Sequence, residues 1–234
     1  CKIYTPYGAT EVLPVSLIDR REILDETWSL SNQGKGTCVG HPIPGVEIKI
    51  IEISDQPILK WQDVTESGTN IVGEITVKAE WVTRTYFNRQ DLTQLAKIED
   101  GNSFWHRMGD LGRLDEKNRL WFYGRKNQRV VTEFETLYTI PCEAIFNQHP
   151  DVKRSALVGT GYKTKPVIII EPVERIKSQE ARQKFTAELL ERGAKSSLTQ
   201  SITKVLFHEE FPVDVRHNAK IFREKLSLWA ENQK

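Results

Sequence analysis

Apolar and polar residues alternate along Val46-Glu47-Ile48-Lys49-Ile50 and again along Gly73-Glu74-Ile75-Thr76-Val77-Lys78. A period of two predicts half-buried strands, with one face toward a core and one toward water. Residues 114–122 place two apolar arms around the polar run Asp115-Glu116-Lys117-Asn118-Arg119, the pattern of a hairpin. Gly34, Gly36, Gly40, Pro42, Pro44 and Gly45 punctuate the stretch before the first strand. Cys1-Lys2-Ile3-Tyr4 reads as a strand already under way. Residues 1–124 are therefore predicted to be β-rich.

From about residue 129 the pattern changes to alternating helices and strands. Residues 141–149 predict a short helix, with Ile145 and Phe146 toward a core and Pro150 stopping it. Residues 155–159 and 166–171 read as buried strands. Residues 179–192 predict a helix with Phe185, Leu189 and Leu190 on one face and Gly193 as its stop. Residues 204–208 predict another strand. Asn218 would cap a last helix in which Phe222, Leu226 and Trp229 share a face. No internal repeat or low-complexity segment interrupts this order. The boundary falls near residues 124–129, ahead of a compact α+β domain.

Composition narrows the function classes. Hydrophobic residues make up 38% of the 234 and aromatics 9%, ordinary for a soluble globular protein. Lys+Arg is 33 and Asp+Glu is 32, which argues against a general nucleic-acid or membrane-surface binder. No apolar run approaches the ~20 residues of a transmembrane segment, and no signal peptide opens the chain. Cys1, Cys38 and Cys142 are odd in number and lack metal-ligand spacing, so a reducing cytosol is the default compartment. The single methionine is Met108, so a chain opening on Cys1 is expected to be a piece of something longer.

Three segments could carry chemistry. In Tyr7-Gly8-Ala9-Thr10-Glu11 a glycine allows close approach of backbone to a ligand, a hydroxyl can bond phosphate and a carboxylate can hold Mg²⁺. Alone, the pentapeptide reads first as a strand-ending turn. Arg107-Met108-Gly109-Asp110 is followed by Gly124-Arg125. A carboxylate beside a glycine can accept both hydroxyls of a ribose, with an arginine donating nearby. Asp110 by itself reads as a turn residue. Lys220, in Arg216-His217-Asn218-Ala219-Lys220, would stand at or just before the N-terminus of the last helix, where anions are favoured. A lone surface lysine is usually only solvated.

Taken in order and spacing, these segments resemble the adenylate-forming superfamily of acyl-CoA synthetases, luciferases and peptide-synthetase adenylation domains. Tyr7 to Glu11 is similar to its Tyr-Gly-x-Thr-Glu motif. Gly73-Glu74-Ile75, through Tyr86 and Thr93, resembles the strand and loop that follow. Gly109-Asp110 resembles Thr-Gly-Asp, with Met108 for threonine. Gly124-Arg125-Lys126-Asn127 resembles the interdomain hinge, and Lys220 stands where the family has its C-terminal catalytic lysine. The resemblance implies an α+β fold, with the β-rich C-terminal subdomain of the large domain at 1–124, a hinge at 125–128 and a small lid domain at 129–234. It implies ATP and Mg²⁺ as cofactors. Tyr7 would stack on adenine, with Gly8 beside it. Thr10 would meet the α-phosphate, Glu11 would hold Mg²⁺, and Asp110 and Arg125 would bind the ribose. Lys220 would bridge the substrate carboxylate and the α-phosphate, and Asn127 would be the pivot. The phosphate loop and acyl pocket would belong to an N-terminal region of the same polypeptide, so the 234 residues alone would be inactive.

Several positions depart from the family pattern. Residues 129–140, where the family has a glycine-containing hairpin that helps deliver coenzyme A, contain no glycine. From Gly124 to Pro141 and Glu143 the segment is two residues longer than usual. Pro212 lies eight residues before Lys220 where six is usual, Ala219 replaces glycine, and Asn127 replaces aspartate or lysine. The stretches Leu137-Tyr138-Thr139-Ile140-Pro141-Cys142-Glu143 and Phe211-Pro212-Val213-Asp214 to His217-Asn218-Ala219-Lys220 look most like the olefin β-lactone synthetase branch. That branch implies a long-chain β-hydroxy acid as substrate and association with other olefin-pathway enzymes. A long-chain fatty acid–CoA ligase is the alternative, and a non-catalytic binding or scaffolding module is a third, from another class.

Overall fold

The structure, a computed structural model, describes residues 1–161, 164–214 and 220–233. The chain forms two compact units: Cys1–Leu30 with Gly36–Asn127, and Ser31–Lys35 with Gln128–Lys234. Ser31–Lys35 thus groups with the later part of the chain.

In the first unit β1 (Tyr4–Ala9) and β2 (Val12–Asp19) form a hairpin. The helical segment that follows comprises α1 (Arg20–Glu22), a π turn (Ile23–Thr27) and α2 (Trp28–Asn32). Next come β3 (Thr37–Pro42), β4 (Glu47–Ile51), β5 (Gly73–Lys78), α3 (Gln90–Ala96), β6 (Lys97–Asp100), β7 (Ser103–Leu114) and β8 (Leu120–Arg125). These strands make one antiparallel sheet in the order β1-β2-β3-β8-β7-β5-β4, with β6 also on β7. Val12, Val15, Ile50, Ile75, Val77, Met108 and Leu120 form its main core. Ile51, Ile98 and Trp105 form a second cluster, where Trp61 stacks on Trp105 at 4.5 Å.

Two expectations need correcting here. Residues 1–3 lie outside β1, and the carbonyl of Ile3 only accepts from Arg20 N–H, at 2.9 Å. β5 is buried on both faces: Ile75 and Val77 join the main core, while Glu74 on the other face is covered by Arg107 and Lys126, which also reach the Ser54 and Gln56 carbonyls. The polar positions of β5 find partners inside the protein, although Glu74 Oε1 receives no hydrogen bond among the described residues. Thr76 Oγ1 donates to the Lys49 carbonyl at 2.8 Å, and Glu74 receives Arg107 Nη2 at 2.6 Å. The hairpin of residues 114–122 does form. Asp115 holds its turn by accepting from the N–H groups of Lys117 and Arg119, at 3.0 and 2.9 Å.

The second unit opens with the ribbon β9 (Val130–Val131) and β10 (Thr136–Leu137), then α4 (Thr139–Phe146). Its sheet is β11 (Val152–Thr160), β12 (Lys165–Pro172) and β13 (Lys204–Phe207). β12 is antiparallel to β11 and parallel to β13, and α5 (Gln179–Ala194) makes the crossover. α6 (Arg223–Glu231) closes the unit. Ile168 and Ile170 pack with Phe146, Phe185 and Leu189, whereas Val167 and Ile169 pack with Phe211, Ile221 and Leu226. A strand covered on both sides explains the unbroken apolar run that the sequence shows there.

Helix ends differ from expectation for packing reasons. α4 starts at Thr139 and ends at Phe146, which is fully buried while Ile145 is half-buried. Gly193 lies inside α5, where a Cβ would come within 3.0 Å of the Phe146 ring, so its bareness serves the α4–α5 contact and does not stop the helix. Phe222 precedes α6, so Leu226 and Ala230 carry its buried face. The cap expected at Asn218 lies outside the described residues. No described helix is long and apolar enough to cross a membrane.

A buried ion pair ties α4 to α6. Glu143 accepts from Arg223 through Nε at 2.9 Å and Nη2 at 2.6 Å, and from the Leu157 N–H at 2.9 Å. Removing one partner strands the other charge away from water. Arg223→Met is expected to lower stability by about 3–5 kcal/mol in denaturant unfolding. Replacing both, with Glu143→Leu added, recovers much of that loss.

Candidate functional site

The β1–β2 hairpin brings Tyr7, Gly8, Thr10 and Glu11 to one tip. Its register shifts between Tyr7 and Ala9, and a Cβ on Gly8 would lie 2.6 Å from the Val12 carbonyl. The hairpin's own close approach therefore requires this glycine. Tyr7 tilts against Phe122 at 6.0 Å between ring centroids, and its hydroxyl donates to Asp110 Oδ2 at 2.6 Å.

Asp110 sits on β7 opposite Arg125 on β8. The Arg125 guanidinium, half exposed, stands 2.9 Å from Asp110 Oδ1. Buried Oδ1 thus has an ion-pair contact but receives no hydrogen bond of good geometry among the described residues. Burial pushes the Asp110 carboxyl above its ordinary value, against the pull of Arg125 and Tyr7. Burial and the facing carboxylate likewise push the Tyr7 phenol well up. Gly109 supplies a φ of +66° just before Asp110, in open space, so there the backbone conformation requires glycine. Met108, in the family's threonine position, points into the core.

Glu11 is partly buried, and its Oε1 accepts the Tyr86 hydroxyl at 2.7 Å. Burial alone would raise its carboxyl. The Tyr86 hydrogen bond, a hydrogen bond from Glu11's own backbone and the charges of His106 and Lys97 outweigh that and hold it below the ordinary value. Lys97 and His106 face each other across β6 and β7, with Nζ 3.2 Å from Nδ1. Burial lowers the Lys97 ammonium to about 8 and the His106 ring to about 4.

Sequence reasoning missed Lys97 and His106. Each looks like an ordinary polar position in its own strand, and only the cross-strand register brings them together. It also missed the buried Glu74, which holds Arg107 and, through Lys126 Nζ at 3.0 Å, the residue just before Asn127. Asn127 is exposed and is the last residue of the first unit.

Tyr7, Asp110 and Arg125 are thus in direct contact, and Thr10 and Glu11 share their hairpin. Lys220 belongs to the second unit. It is exposed, and its carbonyl accepts from Asp214 N–H at 3.0 Å beside the Val213–Ile221 bridge, three residues ahead of α6.

The donor set fits two groups. A buried carboxylate oxygen without a hydrogen bond, beside an arginine, suits a sugar hydroxyl. The Glu11 carboxylate is the kind of hard oxygen Mg²⁺ takes alongside phosphate, and the exposed Thr10 hydroxyl can donate to such a phosphate. Among the described residues no three His, Cys, Asp or Glu gather into a metal site.

No protein-family model matches the chain. It is 45% identical over its whole length to an olefin β-lactone synthetase of Xanthomonas campestris pv. campestris, covering 43% of that protein. It is 42% identical over 98% of its length to an olefin β-lactone synthetase of Stenotrophomonas maltophilia, covering 42% of it. The chain thus spans less than half the length of these relatives. The structure of the O-succinylbenzoate coenzyme A synthetase of Bacillus subtilis in complex with ATP and magnesium superposes with a TM-score of 0.70. That match covers 96% of this chain and 41% of the other at 21% identity, a likeness of fold.

Lys97 generates a prediction about stability. In the folded state it gives up its proton near pH 8, against an ordinary value of about 10.4 in the unfolded chain. The buried ammonium therefore costs stability below pH 8, and the cost fades as pH rises toward 10. Lys97→Met is expected to stabilise the protein by roughly 2–3 kcal/mol at pH 7. Denaturant unfolding at pH 7 and pH 10 should show that gain shrinking toward zero.

Proposed function

The chain belongs to the adenylate-forming superfamily, and from that premise we propose that its parent protein activates a carboxylic acid with ATP as an acyl-adenylate. The observation that carries this reading is the Tyr7–Asp110–Arg125 contact with its unsatisfied buried Oδ1. Asp110 Oδ1 accepts a ribose hydroxyl there, and Arg125 donates to the same sugar. The Tyr7 ring, fixed by its hydroxyl, offers a face to adenine. Thr10 donates to the α-phosphate, and Glu11 with the triphosphate holds Mg²⁺. When bound, the ion supplies positive charge where phosphate oxygens crowd. Lys220, on the second unit, aims an ammonium at the oxygens shared by the substrate carboxylate and the α-phosphate. Asn127, the last residue of the first unit, is the pivot that lets the second unit change position between steps.

The substrate is a long-chain β-hydroxy acid and the product a β-lactone. The hydroxyl oxygen attacks the adenylated carbonyl four atoms round the incipient ring, AMP leaves with the bonding electrons, and the hydroxyl proton is released. Coenzyme A is not needed, because the nucleophile is already tethered. Identity of 45% and 42% to olefin β-lactone synthetases supports this branch, as does the glycine-free segment 129–140. The 234 residues alone are inactive, since the phosphate loop and acyl pocket come from the N-terminal region of the parent protein.

The test is incubation of the full-length protein with ATP, Mg²⁺ and a long-chain β-hydroxy acid, with and without coenzyme A, and identification of products by mass. β-Lactone and AMP, formed equally well in both, are expected. An acyl-CoA that disappears without coenzyme A would place the protein among the ligases, and no turnover of ATP would leave a binding module. Lys220→Ala is expected to slow acyl-adenylate formation by about 10²–10³-fold. ATP–pyrophosphate exchange by the isolated chain should be absent.

A further inference from the structure

Tyr86 lies in the loop between β5 and α3, and that loop is fastened to Glu11 twice. The Thr83 N–H donates to the Glu11 carbonyl at 3.0 Å, and the Tyr86 hydroxyl donates to Glu11 Oε1 at 2.7 Å. The loop is held at its far side as well. The Tyr86 N–H donates to Thr93 Oγ1 at 3.0 Å, and the Arg89 N–H donates to the Tyr86 carbonyl at 3.2 Å. Behind the phenol ring stands the buried Lys97 ammonium, 6.0 Å from the ring centroid.

We propose that Tyr86 is a positioning residue that fixes the Glu11 carboxylate, engaging Oε1 so that Oε2 is the oxygen presented to a divalent cation. This rests on the reading of Glu11 as the Mg²⁺ ligand. A free glutamate carboxylate samples many rotamers, and binding an ion must freeze them. A hydrogen bond made before the ion arrives removes that cost, as support behind a binding group does generally. A phenol is suited to the task, because it donates one hydrogen bond to a carboxylate without adding a charge that would repel the cation. Among the described residues Tyr86 is the side-chain donor to the Glu11 carboxylate, and it takes Oε1.

The experiment uses the full-length protein and two readouts: Mn²⁺ binding in the presence of ATP, followed by electron paramagnetic resonance, and the Mg²⁺ dependence of ATP–pyrophosphate exchange. Tyr86→Phe is expected to weaken Mn²⁺ binding and raise the half-saturating Mg²⁺ by about 3–10-fold, the effect of one lost hydrogen bond. Thr93→Val, which frees the Tyr86 backbone and keeps its hydroxyl, should shift both in the same direction by less, and serves if Tyr86→Phe does not fold. Glu11→Gln is the reference and should shift both further than either. If Glu11→Gln shifts metal binding while Tyr86→Phe and Thr93→Val stay within about twofold of wild type, the positioning role is overturned. If Glu11→Gln itself leaves metal binding unchanged, Glu11 is not the ligand and the proposal falls with that reading.

Discussion

Strand β7 is hydrogen-bonded to β5, β6 and β8, and its register decides where most charged groups of the first unit go. Pairing with β6 sets His106 against Lys97. Pairing with β5 places Arg107 beside Thr76, within reach of Glu74, and pairing with β8 sets Asp110 against Arg125. Because side chains alternate across a strand, a slip of one residue would turn all of these to the wrong face at once. The positive φ of Gly109 stands in the middle of this strand, immediately before the carboxylate that Tyr7 and Arg125 reach.

Such a concentration of buried charge is costly, and the structure compensates it unevenly. Glu74 is fully enclosed and is matched by Arg107 and Lys126, while Arg107 also donates to the carbonyls of Ser54 and Gln56. That network puts its hydrogen bonds on Glu74 Oε2 and leaves Oε1 with the Lys126 charge 3.0 Å away and no hydrogen bond among the described residues. Asp110 repeats that arrangement, and Lys97 has no carboxylate in ion-pair contact among the described residues. Asp110 Oδ1 has the Arg125 charge at 2.9 Å and no hydrogen bond, and Lys97 Nζ lies 3.2 Å from His106 Nδ1. Groups left short of partners on rigid strands are the ones available to a ligand.

Much of the fold was legible in the sequence. The alternation at β4, the hairpin around Asp115 and the apolar runs of β11 and β12 each carried their element in local pattern. Where the reading failed, long-range packing overrode a local rule. β5 alternates like a half-exposed strand, yet side chains and loop backbone from distant segments cover its polar face and bury Glu74 and Thr76. Gly193 looked like a helix stop and is instead a helical residue that makes room for Phe146.

The candidate site divides in the same way. Tyr7, Thr10, Glu11, Asp110, Arg125 and Lys220 could be named from short motifs, because chemistry demands particular residue types near one another in the chain. Tyr86, Lys97 and His106 could not, since their meaning comes from partners on other elements. The sequence by itself determined the order of elements, the α+β class and the family resemblance, all of which depend on neighbours within a few residues. Only the tertiary structure decided which carboxylate oxygen lacks a hydrogen bond, which lysine is buried and which loop clasps Glu11. Burial and hydrogen-bond satisfaction are properties of surroundings assembled from distant segments, and no local pattern encodes them.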